Sequence, residues 1–436
     1  MHRAHAIAAL AIASLTGCPS PRHPQDRSAD PSTLEIGRDA TSIRGVTGDG
    51  AIAFVARAAA LGTSAIEARR GATLVWAAKV GGTAGPLALG ASTVFAALAG
   101  TGTMVGATSP TAALRGEPAA VVDALDAASG AIRWRTAFES SEWAQVSSLA
   151  GLPDGVIVGG TFVGTLRVGA SVVSSAGKSD GFVARLDASG KVGWLVRVGG
   201  LGADAVQGVA ARDGRIAIAG TFTAGAELHG TPLLAFDEKS PFGDAFVAEL
   251  DARGGRTWSA SFGGKLDDSV AGVAIDASGR VAVAANARDT MHVAGADLVA
   301  QGDADGLVGW WTRDGTATHA VLIGGTDFDG LRAITSVGDR IVVAGFFSGA
   351  LTLGDRMLHA GGGDDAFVVA LDDHGAVLES WQVGGPGREE ITALAAIPGG
   401  FLAAVAHTAA ADVAGAALPS PKDPMSGAAL VVRAVH

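Results

Sequence analysis

The chain has 436 residues, 64 of them Gly and only 17% charged, with 43 acids against 32 bases and a net charge of −11. The acidic balance and the absence of any basic cluster exclude DNA and RNA as partners, and a chain that is 48% apolar is not a disordered one. One Cys excludes a disulfide framework, a Cys-based zinc site and CxxC redox chemistry.

The chain opens with MHRAHAIAALAIASLTGC, in which Arg3 is a short basic start and residues 6–15 are an apolar run. About a dozen apolar residues are too few to span a bilayer, which takes ~20, so the segment reads as a secretory signal. Leu15, Thr16, Gly17 and Cys18 resemble a bacterial lipobox. That resemblance implies cleavage after residue 17, a lipidated Cys18 and a tether over residues 18–31. The expected location is the bacterial cell envelope, with the membrane engaged through a lipid anchor. Two or three acyl chains hold stably where one is marginal. Pro19, rather than Asp, after the Cys points to the outer membrane rather than the inner one.

From residue 32 onward the sequence repeats itself. GFVARLDASGKVGWLVRVGG (181–200), DAFVAELDARGGRTWSASFGG (244–264), DGLVGWWTRDGTATHAVLIGG (305–325) and DAFVVALDDHGAVLESWQVGG (365–385) superpose with few gaps. AAVVDALDAASGAIRWRTAF (119–138) is a fifth copy and SAIEARRGATLVWAAKVGG (64–82) a sixth. With Leu125, Leu186, Leu250, Trp311 and Leu371 as equivalents, the steps are 61, 64, 61 and 60 residues. Such a unit exceeds a four-stranded WD or kelch blade, so each is expected to carry an extra loop or hairpin.

Inside a unit, four short apolar or alternating runs are closed by Gly, Asp or Asn, which is the signature of strands. After Gly200 they are AVQGVAA, RIAIAGTF, AFVAELD and RTWSASF, here termed A to D. The turns at 212–214 and 252–254 contain glycines that supply the positive φ of tight hairpins. Strand B is nearly continuous in Ala, Val and Ile, as in a strand covered on both faces. Four antiparallel strands per unit without an amphipathic helix predict an all-β propeller.

A strands near residues 43, 87, 146, 206, 270, 331 and 391 predict seven blades. The last copy supplies only A, B and C before His436, while residues 33–37 align with a D strand. The seventh four-stranded antiparallel blade is therefore expected to be closed by an N-terminal strand, giving a propeller over 32–436 in which 32–37 completes the last blade. Closure removes the open edge of a linear stack.

The pattern strand, LD-x-x-G, aromatic strand, GG, acid, strand resembles the seven-bladed β-propeller repeat family of bacterial surface and secreted proteins, over nearly all of 32–436. AVVDALDAASGAIRWRTAF also resembles the signature of propellers that bind pyrroloquinoline quinone and of the lipoprotein subunit of the outer-membrane β-barrel assembly machine. The quinone enzymes would bring an adjacent Cys pair and a calcium-binding set of acid and amide, whereas this chain has a single Cys and one Asn, Asn286. Trp76, Trp134, Trp194 and Trp258 recur at one place on strand D, with Trp381 two residues further along, and read as fillers of the wedge between blades.

One acid precedes strand A in four successive units: Asp204, Asp268, Asp329 and Glu389. Connections from D to the next A lie at one mouth of a propeller channel, so the four form an expected arc of negative charge. It would take Ca²⁺ or a cationic ligand, or else each acid caps its own turn by accepting backbone N–H bonds. Asp180, Asp244, Asp305 and Asp365, ahead of strand C, read as turn residues. GGLGADAVQ (199–207) fits a calcium-binding nonapeptide that works only in tandem, and GKSDG (177–181) spells GxSxG without opening a helix. The expectation is a monomeric surface or periplasm-facing lipoprotein, a binding scaffold for a protein, peptide or glycan, non-catalytic and without a cofactor unless Ca²⁺ binds. An outer-membrane assembly or scaffolding lipoprotein is the alternative, and a quinone-dependent or hydrolytic enzyme a third class.

Overall fold

Each repeat unit folds as an antiparallel sheet because its apolar runs are too short to bury themselves alone and must be covered by the next unit. A computed structural model of the chain describes residues 32–35, 42–58, 63–99, 119–239, 242–413, 416–418, 420–421 and 427–435. Cys18, the signal, the tether and residues 36–37 lie outside them. All the regular structure among the described residues is β.

Seven blades are present. Strands A to D are Ser42–Gly48, Ala53–Ala58, Thr63–Arg70 and Thr73–Gly81 in blade 1, and Thr83–Leu89, Thr93–Ala99, Ala120–Asp126 and Ile132–Ser140 in blade 2. Blade 3 has Trp143–Leu152, Gly155–Val163, Asp180–Asp187 and Val192–Gly199; blade 4 has Ala205–Arg212, Arg215–Phe222, Asp244–Leu250 and Arg256–Gly264. Blade 5 has Ser269–Ile275, Val281–Ala287, Asp305–Trp311 and Ala317–Ile323; blade 6 has Gly330–Val337, Arg340–Phe347, Asp365–Leu371 and Val377–Gly384. Blade 7 takes A, B and C from Glu389–Ile397, Gly400–His407 and Gly427–Ala434, and its D from Ser32–Glu35. The closing pair is antiparallel, with Ser32 opposite Val432 and Glu35 opposite Ala429. Each A strand touches the A strands of both neighbours, including that of blade 7 against blade 1, so the ring is closed.

In blades 3 to 7 the extra residues form a hairpin between strands B and C, while blade 1 joins B to C directly. Hairpins from blades 3, 4, 5 and 7 add two strands to the outer D strand of the preceding blade, giving six-stranded sheets. The blade 6 hairpin, Ala350–Leu353 with Arg356–His359, pairs with itself alone. Each added hairpin covers an edge that would otherwise offer unpaired backbone groups and ties one blade to the next.

The LD-x-x-G…W pattern is a second weld between blades. Trp76, Trp134 and Trp194 each donate the indole N–H to a carbonyl in the C–D turn of the following blade, at Ala127 (3.0 Å), Ala188 (2.9 Å) and Ala252 (3.1 Å). The turn glycines Gly130, Gly190 and Gly254 have φ of 73°, 82° and 82°, and a Cβ on any of them would run into that indole ring. Glycine is required twice over there, by the backbone and by the ring. Strand B and C side chains fill the wedges. Val158, Phe162, Phe182 and Leu186, for example, are fully buried against Phe138 of the blade before.

Candidate functional site

The B–C and D–A connections emerge at the same end of the blades, because A and C run one way and B and D the other. This is the face to which both sets of sequence-flagged acids belong, and the structure joins them in pairs. Asp204 lies with Asp180, Asp268 with Asp244, Asp329 with Asp305 and Glu389 with Asp365. Each pair spans one blade junction, from the start of strand C in one blade to the start of strand A in the next. Asp204, Asp268, Asp329 and Glu389 are 1%, 7%, 0% and 0% exposed, so they sit inside the junctions rather than along an open rim.

Three of them accept from an N–H at the start of the D–A turn before strand A, and Asp204 and Asp329 also from the residue after strand B. Oδ2 of Asp204 accepts from Gly200 N (2.7 Å), and Oδ1 accepts from Thr223 N (2.7 Å) and the Thr223 hydroxyl (3.2 Å). Asp329 repeats this with Gly325 N (2.5 Å) and Ser348 N (3.0 Å), while Asp268 accepts from Gly264 N (2.9 Å). Both Glu389 oxygens lack a hydrogen-bond donor. The Asp–Asp or Glu–Asp partner is bonded in turn: Asp180 to Arg197 (2.5 Å), Asp244 to Phe236 N (2.6 Å), Asp305 to Gln301 N (2.8 Å) and Asp365 to the Gln382 amide (2.6 Å).

Burial is the first cause of an upward shift in all four pre-A acids, and the partner carboxyl adds to it. The N–H donors oppose that shift. Asp268 and Glu389, which are the least served by donors, are pushed up to about 7. The acids of the C–D turns at the other end behave oppositely. Bonds from Arg133 and Ser129 pull Asp126 down to about 2, and Ser189 pulls Asp187 down.

Among the described residues, only Asp372, Asp373 and His374 bring three metal-ligating atoms within 4.8 Å of one another. They follow one another in a C–D turn, where Asp373 already pairs with Arg280 (2.9 Å) and His374 (2.7 Å). The four pre-A acids form no such group. The Asn286 amide is engaged between blades, accepting from Leu331 N (2.7 Å).

Beside charged residues such as Lys239, Lys265 and Asp327, the same face shows large apolar side chains to solvent. Leu201 (80% exposed), Leu234 (72%), Phe236, Phe242, Leu266 and Phe328 all lie in its connections. Phe236, Phe242 and Leu234 belong to a B–C connection in blade 4 with 21 residues between Phe222 and Asp244, against 17 between Phe347 and Asp365 in blade 6. Sequence reading missed both features. The acid pairs recur at a constant separation of 24 residues (180/204, 244/268, 305/329, 365/389) although the units differ in length, and that constancy was the available signal.

No protein-family model matches the chain, and no curated protein matches it. Among solved structures it is similar to BamB from Moraxella catarrhalis, at 16% identity over 90% of this chain and 85% of that one, with a TM-score of 0.42. It is similar to the computationally designed Ika8 protein (13% identity, 92% and 99% covered, TM-score 0.43) and to the C-terminal WD40 domain of Sif2 (11%, 93% and 99%, 0.44). The chain's own sheets make it a seven-bladed β-propeller.

Proposed function

We propose that the chain is a lipid-anchored, non-catalytic binding scaffold of the bacterial cell envelope, at the outer membrane, that engages a protein, peptide or glycan through its B–C and D–A face. The observation that carries this reading is the division of side chains on that face. The paired acids are buried in its blade junctions, and what remains in solvent includes Leu201, Leu234, Phe236, Phe242, Leu266 and Phe328 beside charges such as Asp237, Lys265, Asp267 and Asp327; exposed apolar groups clustered in the connections of one face mark a contact surface. Strand D of blade 7 begins at Ser32, at the A–B and C–D end of the blades, so the chain enters the propeller at the end opposite this face.

Two measurements test it. Labelling with a palmitate analogue should mark the wild type and not Cys18→Ser, and the variant should move from membranes to the soluble fraction. Replacing Leu201, Leu266 and Phe328 together by Ser should abolish cross-linking to the envelope partner, while Leu74→Ser and Ile132→Ser, on the outer strands of blades 1 and 2, should not. Full solubility of the wild type, or equal cross-linking by both sets, refutes the reading.

A further inference from the structure

At the junction of blades 6 and 7, three buried carboxylate oxygens have no donor: Oδ1 of Asp365 and both oxygens of Glu389, on two residues with no exposed surface. Burial and the neighbouring Asp365 carboxyl push the Glu389 carboxyl up, and the Gly385 N–H pulls the other way. The backbone brings the two residues together, because the Glu389 N–H donates to the carbonyl of Asp364 at 2.8 Å. The groups around them are committed elsewhere. Oδ2 of Asp365 accepts from Gly361 N (3.2 Å) and the Gln382 amide (2.6 Å). Asp364 takes the Ser348 hydroxyl (2.7 Å) and Arg388 (3.1 Å), and Glu390 takes Arg332 (3.2 Å). His407 stands opposite Glu389 in the A–B ladder and bonds through Nδ1 to the Ala409 carbonyl (2.8 Å), while Asp412 lies opposite Gly384. Among the described residues, no ion pair reaches either carboxyl.

Two neighbouring acceptors repel when both are ionised, and one proton between them turns the repulsion into a charge-assisted O–H···O⁻ bond. A calcium ion would need roughly six to eight oxygens, and the pair offers three free ones. We propose that Asp365 and Glu389 share one proton, and that this proton latches blade 6 to blade 7. While the proton is held, it joins the start of strand C in blade 6 to the start of strand A in blade 7. When it is released to water, two neighbouring carboxylates repel and the joint opens. Burial and the Asp365 charge hold the Glu389 carboxyl up, at about 7, so the latch works in the neutral range. At two other junctions the pre-A acid is served by N–H donors, Asp204 by Gly200 and Thr223 and Asp329 by Gly325 and Ser348, so only one oxygen of each pair, Oδ1 of Asp180 or of Asp305, lacks a donor there.

Hydrogen–deuterium exchange of the full chain tests this locally, read on peptides covering 389–397 and 400–407 and corrected for intrinsic base catalysis. If opening releases one proton, exchange there should quicken about tenfold per pH unit above the midpoint of the pair. Peptides covering 205–222 should show no such excess. Glu389→Gln, whose amide donates permanently to Asp365, should abolish the excess, and Asp365→Asn should do the same from the other side. Equal pH slopes in the wild type and both variants overturn the proposal. So does recovery of protection at pH 8.5 on adding Ca²⁺, which would make the pair a cation site.

Discussion

The junction between blades 2 and 3 and the four that follow it solve one problem with different chemistry. Strand register makes Ala119 the equivalent of Asp180 and Ala144 the equivalent of Asp204: Ala120 opposes Phe138 as Gly181 opposes Val198, and Val146 opposes Gly160 as Val206 opposes Gly220. Both alanines are buried in an apolar cluster with Val122, Phe138 and Phe162. Hydroxyls here accept from other N–H groups of the adjoining connections, none of them the equivalent of Gly200 or Thr223. Ser141 accepts from Thr165 N (2.8 Å), Ser175 from Gly164 N (3.0 Å) and Ser140 from Glu142 N (3.2 Å). The propeller therefore closes a junction without any buried carboxyl. Where it uses a pair, the charge brings a desolvation cost that a hydroxyl avoids, and a dependence on protons that the 2–3 junction lacks.

The largest test of that contrast is pH. A carboxyl whose folded value lies above its unfolded value keeps its full stabilising effect below the unfolded value and loses it as pH rises through the folded one. For Asp268, raised from 3.8 to about 7, and Glu389, raised from 4.5 to about 7, the loss runs from near pH 4 to pH 7. For Asp268 alone it amounts to about 3 kcal/mol between pH 5 and 8. Urea melts should show the wild type losing stability over that interval and Asp268→Asn losing distinctly less. The C-D turn acids act in the opposite sense and lower down: Asp126, held at about 2, withdraws support only as pH falls from about 4 toward 2. Stability should peak near pH 4 to 5, and a profile flat from 5 to 8 would break the comparison.

Truncation at the acids themselves should grade with the donors each one serves. Asp204→Ala strands two backbone N–H groups and one hydroxyl, and should cost about 2 to 4 kcal/mol. Asp329→Ala strands two N–H groups, Asp268→Ala one, and Glu389→Ala none. Denaturant midpoints at pH 5 should fall in that order. Asp204→Ser should recover part of what Asp204→Ala loses, since a hydroxyl can still accept one N–H bond.

How far the sequence reveals these features follows from their range. The blades were legible because strand period, turn glycines and the D-strand Trp are local and repeat, and the N-terminal closing strand was legible because the last unit lacks a D strand. The acids were legible one by one for the same reason. Their pairing was not, since Asp180 and Asp204 are joined through two chain segments that meet only once blade 4 packs on blade 3, the Asp204 N–H donating to the Ser179 carbonyl at 2.8 Å. Burial was hidden too, because an acid beside a GG turn reads as a surface residue until the following blade covers it. The exposed Leu234, Phe236 and Phe242 carry no periodic signal, as they lie where blade 4 departs from its repeat.

The smallest expected effect is that of calcium, and it separates the two accounts of the acids most cleanly. If the pre-A acids were ligands, an ion at a hundred times its dissociation constant would add ~2.7 kcal/mol, a shift in melting that is easily seen. Their geometry argues for a negligible shift. Three of the four acids already accept from turn N–H groups, which point positive hydrogen at the oxygens an ion would need, and the four form no cluster within 4.8 Å. Melting of the wild type at pH 7.5 should be the same with millimolar Ca²⁺ or with chelator, and Asp268→Asn with Asp329→Asn should leave that result unchanged. A stabilisation that vanishes in the double variant would mean the turns rearrange to release their carboxylates, and the 2–3 junction, lacking acids, would then be the odd one out in function as well as in chemistry.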